Sequence, residues 1–301
     1  MPHPLLKLIE TASETLLGKR REIELAAAAW CAGGHILIED IPGVGKTTLA
    51  LLLAKLAGFE ISRIQFTSDL LPADILGVSI YHHDKKEFEF RKGPIFSPVV
   101  LADELNRASP KTQSAFMQAM EEGAVTMDGI HYDLPDPFLF IATQNPFEQA
   151  GTYQLPEGQL DRFMISLSLG FPGKQEEIKL LRGFNPKTVI QNLQKVISPE
   201  ELKEAQEKTD SILISETAAE YIIRLLENSR KNVHSLPLSP RAGISAARMA
   251  KVTAFLRNRN YVIIEDIQYV WESISAHRLS FSRKEGLAAS RLLLSQTEIP
   301  V

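Results

Sequence analysis

Hydrophobic positions follow two different patterns along the chain, and the first pattern extends through somewhat more than the first half of the sequence. Short apolar runs alternate there with segments that have the period of amphipathic helices. Apolar runs separated by helices are typical of a parallel sheet that is covered on both faces. We therefore predict five parallel strands, at 35–39, 61–66, 97–104, 137–144 and 162–169.

Capping residues, proline and glycine indicate where helices begin and end in this region. Residues 46–58 form an apolar helical pattern that ends at Gly58. A second predicted helix follows Ser109, which can cap it, while Pro110 suits its first turn and Gly123 ends it. These helices would cover the faces of the sheet.

Two stretches of alternating polar and apolar residues predict hairpins within the same region. One covers 121–134 and contains Asp128-Gly129, a strong signal for a two-residue turn. The other covers 77–93 and turns through a polar segment. Neither hairpin is needed to build the sheet, so we interpret both as candidate functional insertions.

The pattern of hydrophobic positions changes after 169–177, since from there to the last residue it is helical. We place a domain boundary near 170–175, which divides the chain into 1–172 and 173–301. The predicted fold class is α/β, with an αβα sandwich around a five-stranded parallel sheet and a small all-helical domain after it.

Composition narrows the classes of function. The 301 residues include 33 basic and 37 acidic side chains, a net charge of −4, which argues against a strongly basic nucleic-acid binder. The single cysteine, Cys31, excludes an internal disulfide framework and suits a reducing compartment. The sequence shows no signal peptide and no apolar stretch long enough to span a bilayer. We expect a cytoplasmic protein with no nucleic-acid partner and no membrane insertion.

The stretch HILIEDIPGVGKTT, 35–48, has the form of a phosphate-binding loop between a strand and a helix. The Walker A pattern G-x-x-x-x-G-K-[ST] is met at its end, but Asp40 replaces its first glycine. Backbone N–H groups of such a loop converge on a phosphate, the lysine reaches the β- and γ-oxygens, and the hydroxyl ligates Mg²⁺. We predict ATP and Mg²⁺ as cofactors, with Thr47 as a metal ligand. The predicted nucleotide-binding residues of the loop are Pro42, Gly43, Val44, Gly45, Lys46, Thr47 and Thr48.

Asp40 raises a specific question. The amides that hold phosphate lie later in the loop, so an acid at this position can point away from the nucleotide. This holds unless the backbone there requires the positive φ that favours glycine. In that case Asp40 would be strained, and Asp40→Gly would raise stability or affinity.

The apolar strand at 97–104 ends in Asp103-Glu104, as a Walker B site requires. Asp103 is expected to hold the hydrated Mg²⁺, and Glu104 to polarise the attacking water. General-base catalysis supplies on the order of 10²–10⁴ in rate, so Glu104 separates a hydrolase from a nucleotide switch. Strands that end in acids are common, and the preceding phosphate loop is what makes this interpretation specific.

Further candidates are polar residues outside the two loops. Asn145 follows the fourth predicted strand, and ligands bind at the carboxyl ends of parallel strands, where an amide could orient water. Arg107, Arg162 and Arg241 are candidate cations for the γ-phosphoryl group, since an arginine finger contributes about 10³–10⁵ in rate. A single arginine is more often a surface residue, so these candidates depend on the whole set of motifs.

That set resembles one family, the MoxR-type AAA+ ATPases. After Walker A the segments LADELNRASPKTQSAFMQAMEE, ATQNP, LPEGQLDRF and SPRA follow in the family's order, and the resemblance runs from Gly18 to about Arg278. It implies a P-loop NTPase domain, a helical lid and assembly into a ring, often a hexamer. It also implies a chaperone-like ATPase that matures partner complexes, often von Willebrand factor A-domain proteins.

The resemblance assigns roles by position. Lys46, Glu104, Asn145, Arg162 and Arg241 become the catalytic set: phosphate lysine, Walker B glutamate, sensor 1, an arginine finger acting on a neighbour's ATP, and sensor 2. Leu17 and Gly18 match the segment that lines the adenine pocket, whereas Arg107 has no settled role. The two hairpins match the helix-2 insert and the pre-sensor-1 insert, which face the pore of the ring or a partner.

Two alternatives stay open at the level of the sequence. One is a nucleotide-gated binding module in which hydrolysis is incidental. The other is a magnesium-chelatase-like motor subunit, which shares the same inserts. A DNA-acting motor has no support, because the sequence shows no helix-turn-helix, zinc-finger spacing or basic stripe.

Overall fold

The computed structural model describes residues 3–84, 86–146, 151–231 and 235–300. Two short 3₁₀ turns, Pro94–Phe96 and Leu105–Arg107, flank one central strand. The elements up to the last strand are α1 Pro4–Thr15, α2 Arg20–Cys31, β1 Ile36–Glu39, α3 Lys46–Leu56, β2 Ile61–Gln65, α4 Pro72–Leu76, β3 Gly77–His82, β4 Glu87–Lys92, β5 Val99–Asp103, α5 Pro110–Glu122, β6 Ala124–Met127, β7 Ile130–Asp133, β8 Leu139–Gln144, α6 Glu157–Leu160 and β9 Ile165–Leu167. The helices after it are α7 Lys174–Leu181, α8 Pro186–Asn192, α9 Pro199–Asp210, α10 Glu216–Lys231, α11 Pro240–Leu256, α12 Ile264–Leu279 and α13 Arg283–Gln296.

The five predicted strands form one parallel sheet in the order β2-β5-β8-β1-β9, which confirms the predicted fold class. Every residue of β1 and β5 is buried, because helices cover both faces. Since the strands are parallel, their carboxyl ends share one edge, where Gln65 pairs in register with Asp103 and Glu39 with Gln144. This carboxyl edge carries most of the predicted site.

Local sequence signals set the other elements of this part. Ser109 accepts a hydrogen bond from the Thr112 N–H and Gly123 ends α5 with φ +65°, as predicted. Both hairpins also form, β3 with β4 and β6 with β7, although Lys85 of the first turn lies outside the described residues. Asp128 and Gly129 both have positive φ (52° and 79°), the geometry of a type I′ turn.

The two hairpins lie against each other. The Phe90 and Tyr132 rings are 4.4 Å apart between centroids, and the Ser79 hydroxyl donates to the Asp128 carboxylate. The inserts therefore form one surface feature, from which Phe88 projects with 70% of its surface exposed.

The helices after residue 173 do not pack as an isolated unit. One continuous buried cluster includes residues of α1, α2 and α3 together with residues of α9 to α13. α1 and α2 were not predicted from the sequence; both pack against α9, and α2 also packs against α11. α12 contacts both α13 and the edge strand β9, so the helical part is fixed to the sheet. Among the described residues, no helix combines the length and apolar character needed to cross a membrane.

Candidate nucleotide site

The phosphate loop connects β1 to α3 and has the backbone that its glycines allow. Gly43 and Gly45 have φ of +86° and +105°, a region in which L-residues are strained. A Cβ at Gly43 would meet nothing within 4 Å and would project into the open loop, whereas one at Gly45 would lie 2.9 Å from Leu16 Cδ1. The loop is therefore a shallow cradle that glycine keeps clear.

The first turn of α3 supplies the donors of this cradle. Lys46, Thr47 and Thr48 are its first three residues, and the N–H groups of a first helical turn have no acceptor within the helix. Such a helix start binds phosphate well. The Lys46 ammonium lies over the loop and donates to the Asp40 carbonyl at 2.6 Å. Burial lowers the pKa of Lys46, and the nearby carboxylates of Asp40, Asp103 and Glu104 oppose that shift.

The Asp40 side chain points away from the cradle. The described non-glycine residues with positive φ are Lys86, Glu104, Asp128 and Asn258, so the backbone at position 40 does not require glycine. One carboxylate oxygen accepts from the Ser168 hydroxyl at 2.9 Å and from the Gly170 N–H at 2.7 Å. The other accepts from the Ile41 N–H at 2.9 Å. Asp40 thus joins the phosphate loop to the segment that leaves β9.

Asp103 and Glu104 lie at the same edge, at the end of β5. The buried Asp103 carboxylate accepts from the Thr143 hydroxyl at 3.0 Å and from Arg63 Nε at 2.7 Å. Glu104 has left-handed backbone angles (φ 58°, ψ 47°), a strained conformation for a side chain of this size. Its N–H donates to Thr143 Oγ1 at 3.0 Å, which helps to hold that conformation.

The Glu104 carboxylate is occupied by side chains of the same subunit. It accepts from Gln65 Nε2 at 2.9 Å and lies 3.0 Å from Arg107 Nε. The sequence analysis missed Arg63 and Gln65, which hold the two Walker B acids from the neighbouring strand β2. Their spacing of two residues was the available signal, because it places both side chains on one face of β2.

Asn145 follows β8, and β8 lies between β5 and β1 in the sheet. The structure therefore brings Asn145 between Walker B and the phosphate loop. It lines a cavity of about 890 Å³ together with Glu39, Asp40 and, from the start of α13, Arg283. Arg283 Nη1 lies 3.4 Å from a Glu39 oxygen, and Gln144 Nε2 donates to the other oxygen at 2.7 Å. The helical part thus contacts this edge directly.

Leu17 and Gly18 lie in the turn between α1 and α2, beside the phosphate loop. Leu17 is half-buried, and its neighbour Leu16 packs near Gly45. Gly18 has φ +71°, and a Cβ there would come 3.3 Å from Glu176 Cγ in α7. This places the predicted adenine segment between the loop and the start of the helical part.

Arg162 and Arg241 lie at the opposite edge of the sheet. Both form ion pairs with Glu121 near the end of α5, Arg162 through Nε at 3.0 Å. Together they line a cavity of about 260 Å³ that also includes His35, the residue before β1. The structure therefore brings the predicted arginine finger and sensor 2 together, but it separates them by the length of β1 from Lys46 of the same chain.

The residues present fit a nucleotide with Mg²⁺. The carboxyl edge offers hard oxygen donors, the Thr47 hydroxyl and the Asp103 carboxylate, beside a lysine and a row of backbone N–H donors. The described residues show no cluster of three or more His, Cys, Asp or Glu side chains suited to bind a metal by itself. Mg²⁺ in phosphoryl-transfer sites typically uses one or two protein oxygens plus phosphates, which matches this donor set.

Comparison with known proteins agrees with this geometry. The sequence model of the AAA family, ATPases associated with various cellular activities, matches residues 35–165, and that of the AAA lid domain matches residues 231–293. The uncharacterized protein YeaC of Bacillus subtilis is 44% identical over 99% of this chain and 96% of its own length. Chaperone MoxR1 of Mycobacterium tuberculosis is 35% identical over 92% of this chain and 76% of its own length.

A solved structure is similar as well. The crystal structure of a candidate ATPase from Cytophaga hutchinsonii aligns with a TM-score of 0.86 and 36% identity, covering 99% of this chain and 95% of that one. The two chains thus share one overall fold over nearly their full lengths. This chain belongs to the MoxR family of AAA+ ATPases.

Proposed function

We propose that this protein hydrolyses ATP as a subunit of a ring, is inactive as a monomer, and uses the hydrolysis cycle to remodel partner proteins.

 Within that proposal the ring is a homo-oligomer, a hexamer by analogy with the family. The observation that carries it is the separation of the two halves of the site. Lys46, Asp103, Glu104 and Asn145 share the carboxyl edge of the sheet, while Arg162 and Arg241 share the amino edge. A second copy that brings its amino edge to this carboxyl edge would complete the site.

The proposed roles of the residues at the carboxyl edge rest on the family resemblance and are supported by their positions. Lys46 and the N–H groups of residues 43–48 bind the phosphates, and Leu17 and Gly18 contact the adenine. Thr47 and Asp103 would hold Mg²⁺, which would neutralise phosphate charge. Glu104 accepts a proton from the water that attacks the γ-phosphorus, and Asn145 orients that water. The bond between the γ-phosphorus and the bridging oxygen breaks, so the γ-phosphoryl group passes to water and the bridging oxygen leaves as part of ADP.

The contacts of Glu104 support a general base whose orientation is controlled by its neighbours. Gln65 and Arg107 both contact Glu104 Oε2, so they orient the carboxylate, and a change at either partner would change how it meets water. Arg162 and Arg241 of the neighbouring subunit then stabilise the charge that develops on the γ-phosphoryl group. Hydrolysis in this scheme requires a neighbour, which ties turnover to assembly.

The wider assignment rests on the family. We propose 1–172 as the nucleotide domain and 173–301 as the lid, a cytoplasmic location, and clients that include von Willebrand factor A-domain proteins or similar partners. The relative named Chaperone MoxR1 supports a chaperone-like role. The paired hairpins, with Phe88 exposed between charged residues, are the proposed surface for the client.

The test combines two variants that are each inactive alone. Glu104→Gln should bind ATP with unchanged affinity and lose turnover by about 10²-fold or more, since it removes the base. Arg162→Ala should also lose turnover, because it lacks the finger. Mixing the two should restore part of the activity, since Glu104→Gln subunits supply arginines to intact Arg162→Ala sites. Equal hydrolysis by Glu104→Gln and the parent would instead favour a binding module with incidental turnover.

A further inference from the structure

Arg278 is a buried cation that belongs to neither half of the proposed site. It lies near the end of α12, and only 3% of its side chain is exposed. Its guanidinium donates to an Asp161 carboxylate oxygen at 2.8 Å and to the Asp161 carbonyl at 3.0 Å. It also donates to the carbonyls of Phe163 at 2.6 Å and Met164 at 3.1 Å.

These acceptors surround one residue of the proposed site. Asp161 precedes Arg162, and Phe163 and Met164 follow it, so Arg278 fixes the backbone on both sides of Arg162. A guanidinium has five N–H donors in a rigid fork, which allows one side chain to hold several carbonyls. His277 adds a contact from the same helix, with Nε2 3.1 Å from the Phe163 carbonyl.

The same carboxylate reaches the helix that carries Arg241. The Ser239 hydroxyl lies 3.0 and 2.9 Å from the two Asp161 oxygens and caps α11 by accepting from the Ala242 N–H. Arg241 is the second residue of α11. Asp161 therefore connects the start of α11 to the backbone of Arg162, and Arg278 holds Asp161 in place.

We infer that Arg278 is a positioning residue for both arginines. Through Asp161 and Ser239 it sets the distance between Arg162 and Arg241, so that the two guanidinium groups reach the neighbouring subunit's ATP together. This inference rests on the proposed action of these arginines across subunits. A plain structural role, in which Arg278 only attaches α12 to the sheet, predicts a different outcome in mixed assemblies.

The experiment uses the two inactive variants as separate partners. Arg162→Ala subunits provide intact ATP sites, and Glu104→Gln subunits provide intact arginines. Arg278→Lys is added either to the Glu104→Gln donor or to the Arg162→Ala recipient, because a lysine keeps the charge but cannot hold several carbonyls at once. Ser239→Ala is tested in the same two backgrounds, since it leaves the buried ion pair intact. Size-exclusion chromatography and thermal unfolding check assembly and folding.

A positioning role predicts an effect on one side only. In the donor, Arg278→Lys should lower the restored ATPase rate by about 10-fold to 100-fold, because a misplacement of about 1 Å can cost 10²-fold. Ser239→Ala in the donor should lower it in the same direction by a smaller factor. In the recipient, both changes should leave the rate within about twofold, since that subunit's finger is already absent.

The matched control is Arg291→Lys in the donor. Arg291 also pairs with a carboxylate, Glu272, at 3.0 Å, but it is 66% exposed and lies away from Asp161. Its change should leave complementation unaltered. Equal losses from donor and recipient, or full complementation by folded Arg278→Lys and Ser239→Ala donors, would overturn the positioning role alone. No activity from the unmodified mixture would refute action across subunits, and this inference with it.

Discussion

Asp40 provides the sharpest test of how the phosphate loop is built. A generic Walker A loop has glycine here, so Asp40→Gly restores the common sequence. The structure predicts that this restoration is harmful. The Asp40 carboxylate is buried and accepts hydrogen bonds from Ser168 and Gly170, which lie beyond β9. Removing it leaves the Gly170 and Ile41 N–H groups without their acceptor.

The size of the effect can be worked out from these bonds. A hydrogen bond to a charged group contributes about 1.5–3 kcal/mol, so the two bonds beyond β9 give about 3–6 kcal/mol. The substitution also removes the desolvation penalty of a buried carboxylate, and this gain offsets part of the loss from the two hydrogen bonds. Glycine adds a loss of about 0.5–1 kcal/mol through its backbone freedom. We expect Asp40→Gly to lower the free energy of unfolding by about 3 kcal/mol.

Urea unfolding followed by circular dichroism measures this loss as a lower midpoint at an unchanged slope. Asp40→Ala separates the lost carboxylate from the flexibility of glycine, and Ser168→Ala removes one bond to the carboxylate, with an expected loss of about 1.5–3 kcal/mol. Binding of a fluorescent ATP analogue should weaken in Asp40→Gly, because the loop loses its attachment. A variant as stable as the parent, or more stable, would refute this account of Asp40.

Two further predictions concern packing and pH. A Cβ at Gly286 would lie 2.0 Å from the Ala276 carbonyl, so Gly286→Ala should separate α13 from α12 and cost at least about 2 kcal/mol in urea unfolding. Gly158→Ala, with nothing within 4 Å, is the control and should be near neutral, and equal effects would contradict the packing argument. Burial lowers the pKa of His35 to about 4 and holds that of His277 well below 6.5. Since the unfolded chain then binds more protons below pH 6.5, the free energy of unfolding should fall on acidification from 6.5 towards 4, by up to about 1.4 kcal/mol per pH unit for each histidine. The pH slope of His35→Gln should be smaller over that window, and a slope equal to the parent's would exclude His35 as a cause.

Local sequence signals predicted the parts of the fold that local chemistry decides. The strands, the capped helix α5 and the Asp128-Gly129 turn all form as expected, because each depends on neighbouring residues. α2 was missed because its residues 25–31 are all buried, which removes the polar face that marks an amphipathic helix. α1 buries one face only, so its pattern was available in the sequence.

The missed residues of the site share another cause. Arg63 and Gln65 act through partners about 40 positions away, and Arg278 through residues more than a hundred positions away. The spacing of Arg63 and Gln65 shows that they share a face of β2, but no sequence window shows which distant residues these three side chains contact. A buried arginine in a helix is visible only once the helix is placed against β9.

The geometry of β1 supports the proposal that the two edges meet through a second chain. A strand rises about 3.3 Å per residue, so His35 and Asp40 lie about 16 Å apart along it. The arginines beside His35 cannot swing across that distance, because Arg278 holds the backbone around Arg162 and Ser239 holds the start of the helix that carries Arg241. Under the proposed function, changes at the amino edge therefore lower turnover in the neighbouring subunit while ATP binding in their own subunit is kept.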